Sequence, residues 1–113
     1  MIERTLFQKI ADGEIPSDIV YEDDRCVAFR DINPVAPTHV LVVPRQPITR
    51  PDLIDEEDEA LVGHLFIVAR LIAAKEGLCD YRLVMNNGVT AGQSVFHIHL
   101  HVLGGRPMAW PPG

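Results

Sequence analysis

The chain has five histidines, and three of them stand at alternate positions in the run His97-Ile98-His99-Leu100-His101. An extended backbone sends successive side chains to opposite faces. A strand over residues 95–103 therefore lines up His97, His99 and His101 on one face, with Phe96, Ile98, Leu100 and Val102 on the other. The second face is an ordinary apolar core face. The first offers one cavity three imidazoles, each with an unperturbed pKa near 6.5. Polar strand faces are normally filled by Thr, Lys and Glu, so three histidines in file point to chemistry.

Two chemistries compete for such a file. A metal ion is one. At a rise of ~3.3 Å per residue, however, the Cα atoms of His97 and His101 stand about 13 Å apart, and zinc–nitrogen bonds of ~2.1 Å would require both rings to lean far inward. A three-ligand site would sooner combine two of the three with His39, and no nearby carboxylate in the sequence marks an outer partner. Phosphoryl transfer is the other. A neutral imidazole is a nucleophile at phosphorus, and neighbouring imidazoles can donate to the oxygens that gather charge. Just upstream, Ala91-Gly92-Gln93-Ser94 supplies a glycine, an amide and a hydroxyl, a composition suited to a turn that directs N–H groups at an anion. No Walker A or GxGxxG pattern competes for the phosphate. The phosphoryl reading is preferred, with no metal and no cofactor.

These residues need elements to hold them. Thr5-Leu6-Phe7-Gln8 fits a capping box and Asp12-Gly13 a stop, which predicts a short helix over residues 6–11. Residues 19–21 and 26–30 read as strands around the acidic turn Glu22-Asp23-Asp24, and residues 38–44 as a third strand. Residues 81–86 and 95–103 supply the last two. Between them a long helix opens on acidic residues 55–59 and closes with Lys75 before Gly77, as the helix dipole favours. Its apolar residues cover most of its circumference, with Leu61, Leu65, Val68 and Ile72 on one side, Ile67 and Leu71 on another and Phe66 on a third. A surface helix carries one apolar stripe; a sheet on one side and a second subunit on the other would bury this one. The expectation is an α+β fold, a five-stranded antiparallel sheet with a short N-terminal helix and one long helix, both on one face, assembled as a homodimer.

A length of 113 residues accommodates one domain spanning 1–113. The net charge of −6 argues against a nucleic-acid partner, which needs a basic face. The most apolar stretch, residues 60–74, is shorter than a membrane span and contains His64 and Arg70, so no membrane partner is expected. Cys26 and Cys79 read as two buried small hydrophobes in a reducing compartment, and the location expected is cytoplasmic. His64 matches no catalytic pattern and reads as structural.

The run from His97 to Leu103 resembles the His-φ-His-φ-His-φ-φ signature, φ being apolar, of the histidine triad superfamily. The segments Ile15-Pro16-Ser17, Glu22-Asp23-Asp24-Arg25, Phe29-Arg30-Asp31-Ile32-Asn33-Pro34, Ala36-Pro37-Thr38-His39, Val102-Leu103-Gly104-Gly105-Arg106 and Trp110-Pro111-Pro112-Gly113 resemble its nucleotide-binding, purine nucleoside phosphoramidase branch. The resemblance covers nearly the whole chain. It implies a homodimer that hydrolyses AMP or GMP phosphoramidates and acyl-adenylates without a metal. It implies His99 as the nucleophile, with His97, His101 and His39 orienting the ring and contacting phosphate oxygens. Asp31 would hold the ribose hydroxyls, with Ile32 against the nucleoside. Asn86, Gly92, Gln93 and Ser94 would line the phosphate and leaving-group side, Ser94 near the departing nitrogen. Phe7, Ile10, Ile15 and Phe29 would form the purine pocket, a role compatible with core packing, and the tail 104–113 would lie near the active site. Ala91 stands where the pattern has glycine, Asn87 where a charged residue is common, and Arg30 where some members have histidine; these bear on leaving-group preference. The alternatives are a dinucleoside polyphosphate hydrolase or nucleotidyltransferase of the same superfamily, and a nucleotide-binding adaptor.

Overall fold

A computed structural model describes residues 4–113. Helix α1 (Leu6–Ala11) begins where Thr5, in extended backbone, accepts the N–H of Gln8 at 3.1 Å. Strands β1 (Ile19–Glu22) and β2 (Cys26–Arg30) form a hairpin whose turn is pinned by Asp23, which accepts the N–H groups of Arg25 and Cys26 at 2.8 and 2.9 Å. Strand β3 (Thr38–Pro44) follows, then two 3-10 turns, then helix α2 (Glu59–Lys75). The acidic stretch from Asp55 forms a capping box with Asp58 one turn ahead of the α-helix. At the other end Gly77 takes a φ of +73°, a value costly for any residue with a Cβ. Leu78 N then bonds Ala73 O and Gly77 N bonds Ala74 O, closing the helix in a Schellman turn.

Strands β4 (Tyr81–Val84) and β5 (Leu100–Gly104) complete a five-stranded, wholly antiparallel sheet in the order β1-β2-β3-β5-β4. Its class is the α+β one expected. The placement of the helices is not. Cys26, Ala28, Val40, Val42, Leu100 and Val102 pack with Leu65, Val68, Ala69 and Ile72 of α2. Val27, Phe29, Leu41 and Val43 point the other way and pack with Phe7, Ile10 and Ala11 of α1. The two helices therefore cover opposite faces. The unbroken run Val40-Leu41-Val42-Val43 carries the reason, since a central strand that is apolar at every position must be covered on both sides.

The last strand is also shorter than expected. Residues 95–99 make no ladder with β3. Continuing the register from Val42 and Leu100 would set Ile98 opposite Pro44, which has no N–H to give. The Pro44 carbonyl goes instead to the His97 ring, and Ile98 N bonds Ile48 O at 2.8 Å. Ile98 is still buried in the α2-side core, whereas Phe96 is exposed rather than a core residue. Strand β4 likewise ends at Val84, two residues early.

On α2, Phe66, Ile67 and Leu71 are nearly half exposed, so one side of the helix is left uncovered by the single chain. Cys26 is fully buried, but Cys79 is exposed, contrary to expectation. Among the described residues no helix is long and apolar enough to cross a membrane.

Candidate active site

His39 and His101 come from adjacent strands, with His39 opposite Leu103 and Leu41 opposite His101. That diagonal offset is within reach of long side chains on one face, and His39 Nε2 lies 2.9 Å from His101 Nδ1. The direction of this bond follows from its neighbours. The backbone N–H of Val35 donates to His39 Nδ1 at 3.2 Å, so the proton of the neutral ring sits on Nε2 and is donated to His101. His101 therefore accepts at Nδ1 and carries its own proton on Nε2, free to donate outward. Asp31 closes the group, with Oδ2 3.4 Å from His39 Nε2 and Oδ1 accepting Asn33 N at 2.8 Å.

His99 reaches the same place from the irregular segment ahead of β5. Its ring centroid is 4.9 Å from that of His101 and 4.9 Å from Phe7, both edge-on. Its Nδ1 lies 2.9 Å from the His97 carbonyl, which only accepts, so Nδ1 holds the proton and Nε2 keeps a lone pair. Burial pushes the pKa of His99, His97 and His39 below the ordinary value, and that of His101 down to about 4, with the neighbouring His99 and His39 adding to the shift. The group is an array of neutral imidazoles at neutral pH.

His97 sits differently. It is fully enclosed, with Nε2 donating to Pro44 O at 2.7 Å and Nδ1 paired with Thr5 Oγ1 at 3.0 Å. It orients His99 through its carbonyl but exposes no atom to a phosphate oxygen, and that part of the expectation is corrected. Gln93 is also buried. Its Oε1 accepts Gly88 N, and its Nε2 donates to Thr49 O and Val95 O. With every polar atom spent on the chain itself, the Gln93 amide staples the loop together and is not free to line a phosphate. Gly92, at φ +101°, faces the Asn86 side chain, and a Cβ there would stand 3.5 Å from the Asn86 amide nitrogen. Ser94 is exposed, and Ile32 is 88% exposed beside Asp31. Phe7, Ile10 and Phe29 belong to the α1-side core, with Ile15 packed against it. At the tail, Arg82 donates to Ala109 O, while Trp110 is 82% exposed.

Sequence reasoning missed the groups that set the tautomers, namely Thr5, the Val35 N–H and the Pro44 carbonyl. Thr5 carried a signal only as a helix cap; the two backbone groups carried none.

The antiparallel sheet thus brings histidines of defined tautomer together beside a carboxylate. Residues 12–108 match the HIT domain, and the chain belongs to that family. It is 55% identical over its whole length to a HIT-like protein of Synechocystis, itself covered in full. It is 51% identical to the 14 kDa zinc-binding protein of Zea mays over 96% of this chain and 88% of that one. A HIT family hydrolase of Legionella pneumophila superposes with a TM-score of 0.95 at 49% identity, covering 97% of this chain and all of the other.

The name of the maize relative raises the question of zinc. Ligand atoms of Asp31, His39 and His101 lie within 4.8 Å of one another, so a carboxylate does join the histidines, which the sequence order concealed. The tautomers do not fit an ion. The Val35 N–H holds the His39 proton on Nε2, where a metal would need a lone pair, and that proton occupies His101 Nδ1. A second group, Asp23, Cys26 and His64, fits no better. Asp23 already accepts from His64 at 2.6 Å, Tyr21 and two backbone N–H groups, and burial pushes the Cys26 thiol up to about 12. His64 is structural, as expected.

Proposed function

We propose that the chain is a homodimeric hydrolase of purine nucleotide conjugates, cleaving the P–N bond of adenosine or guanosine 5′-phosphoramidates, and acyl-adenylates, without a metal. The observation that carries the reading is the tautomer of His99, whose Nδ1–H is held by the His97 carbonyl so that the Nε2 lone pair is available.

In the first step His99 Nε2 forms a bond to the α-phosphorus as the P–N bond breaks, and the leaving nitrogen departs as an amine after taking a proton. The exposed Ser94 hydroxyl is the proposed donor on that side, restored from solvent. The Nε2–H of His101 stabilises the phosphoryl oxygens, and Val35 and His39 keep that proton in place by relay. Because the imidazoles are neutral, this is stabilisation by aimed dipoles rather than by cations. In the second step water attacks phosphorus, the N–P bond breaks, and the nucleoside monophosphate leaves. Asp31 accepts from the ribose hydroxyls beside the exposed Ile32. Phe7, in edge contact with His99, presents with Phe29, Ile10 and Ile15 an apolar wall to the purine. Asn86 and the backbone of Gly92 flank the phosphate.

Rapid mixing with an adenosine phosphoramidate and quenching in base tests the reading. Wild type is expected to carry the nucleotide on His99, and His99→Asn to lose turnover while AMP affinity stays within about tenfold. An adduct on another residue, or full activity in the variant, overturns it.

A further inference from the structure

Thr5 Oγ1 stands between two groups, 3.1 Å from Gln8 N and 3.0 Å from His97 Nδ1. The backbone N–H of Gln8 can only donate, so the oxygen accepts there as the N-cap of α1. Its hydroxyl proton is then left for His97. On the far side of that ring the Pro44 carbonyl can only accept, so His97 Nε2 carries the proton and Nδ1 is a lone pair. Donor and acceptor match with nothing left over inside a fully enclosed site. The His97 carbonyl, in turn, is the group that holds His99 Nδ1–H. Phe7, two residues beyond Thr5, lies edge-on against both rings.

We propose that Thr5 is a positioning residue of the histidine site: its hydroxyl locks the His97 ring between Thr5 and Pro44 and so fixes the carbonyl that keeps the His99 Nε2 lone pair free. One oxygen thereby joins the start of α1 to the reacting nitrogen 94 positions along the chain. The consequence for rate rests on the reading of His99 as nucleophile; the tautomer assignment does not.

Three variants separate the cap from the donor. Thr5→Ser keeps both roles and is expected to keep the wild-type rate. Thr5→Asp still caps α1, since a carboxylate accepts from Gln8 N, but it has no proton to give. His97 Nδ1 must then gain a proton or turn away, and a buried imidazolium lowers the basicity of His99. Thermal stability is expected to hold in Thr5→Asp while kcat falls at least about tenfold, the rate equivalent of one ordinary hydrogen bond, with KM little changed. Thr5→Val loses both roles and is expected to lose stability as well as rate. Correlation of ring nitrogens with ring protons by NMR reads the tautomers directly. In wild type His97 is expected to carry its proton on Nε2 and His99 on Nδ1, and in Thr5→Asp the His97 pattern is expected to change. A wild-type His97 with its proton on Nδ1, or a folded Thr5→Asp with the wild-type kcat and His97 pattern, overturns the proposal. If His99→Asn is fully active, the hydrolase reading fails, while the NMR measurement still decides the role of Thr5.

Discussion

At His99 the proton sits on one ring nitrogen rather than the other because a carbonyl two residues back is aimed at Nδ1. Its pKa is pushed below 6.5 by burial, so the neutral, nucleophilic form is the one present at neutral pH. Protonation occupies the lone pair, so the rate falls as the pH drops through that lowered pKa. The kcat/KM profile for a phosphoramidate is therefore expected to stay level from about pH 8 down to the ordinary imidazole range near 6.5 and to fall only below it. An acid limb centred above 6.5 would contradict the assigned environment. Asp31 supports a second test. Its carboxylate, partly open to solvent beside His39, can accept from two ribose hydroxyls, and charged hydrogen bonds are each worth about 1.5–3 kcal/mol. Asp31→Ala is expected to weaken AMP binding clearly and 2′-deoxy-AMP binding less, as read by titration calorimetry. Equal losses for the two sugars would remove Asp31 from ribose recognition.

Among the elements, the β1–β2 turn and α2 are joined by one carboxylate. Asp23 accepts from His64 on the helix, from Tyr21, and from the turn N–H groups, and these bonds hold its pKa far below the usual carboxylate range despite the opposing effect of burial. A depressed folded pKa means that the stabilisation is fully present above the unfolded value of about 3.9 and is lost as the pH falls through the folded one. Asp23→Ala is expected to cost at least about 2 kcal/mol at pH 7, and the gap between the variant and wild type to narrow on acidification below about pH 4. Urea unfolding at pH 7 and pH 3 measures both. A constant gap would place the contribution outside the ionised carboxylate. The loop between β4 and β5 is organised on the same principle, with the Gln93 amide taking the place of backbone pairing between 86–95 and Thr49.

For the whole molecule, two of the uncovered apolar features lie on α2 and at the tail. Phe66, Ile67 and Leu71 expose a contiguous helical face, and β4 is an edge strand. A second copy of the chain covering that face is the proposed assembly, and sedimentation at micromolar concentration is expected to give a dimer. Trp110 is exposed and followed by two prolines, and its proposed seat is the partner's active site. Deleting residues 108–113 is expected to change relative rates among leaving groups more than the melting temperature. A monomer in the centrifuge would remove the basis of both statements.

The α+β class, β2, β3 and α1 at their observed bounds, and the candidate histidines were legible in the sequence because each rests on local chemistry: alternation, capping residues, a β-branched run, imidazoles at spacing two. The grouping of His39 with His101 needed the register of β3 against β5, which no local pattern encodes. The irregular path of residues 95–99 depended on a proline in a different strand. The sides taken by the two helices depended on which apolar face of the sheet each could reach. The tautomers were the least legible, since a proton is placed by whichever carbonyl, N–H or hydroxyl folding aims at the ring, and Thr5 and Pro44 are far along the chain from His97, which they hold. Sequence by itself determined which side chains were available for chemistry. Tertiary structure decided how the ring protons of His97 and His101 are placed, because their partners Thr5, Pro44 and His39 lie in distant segments. It also set the backbone path that aims the nearby Val35 N–H and His97 carbonyl at His39 and His99.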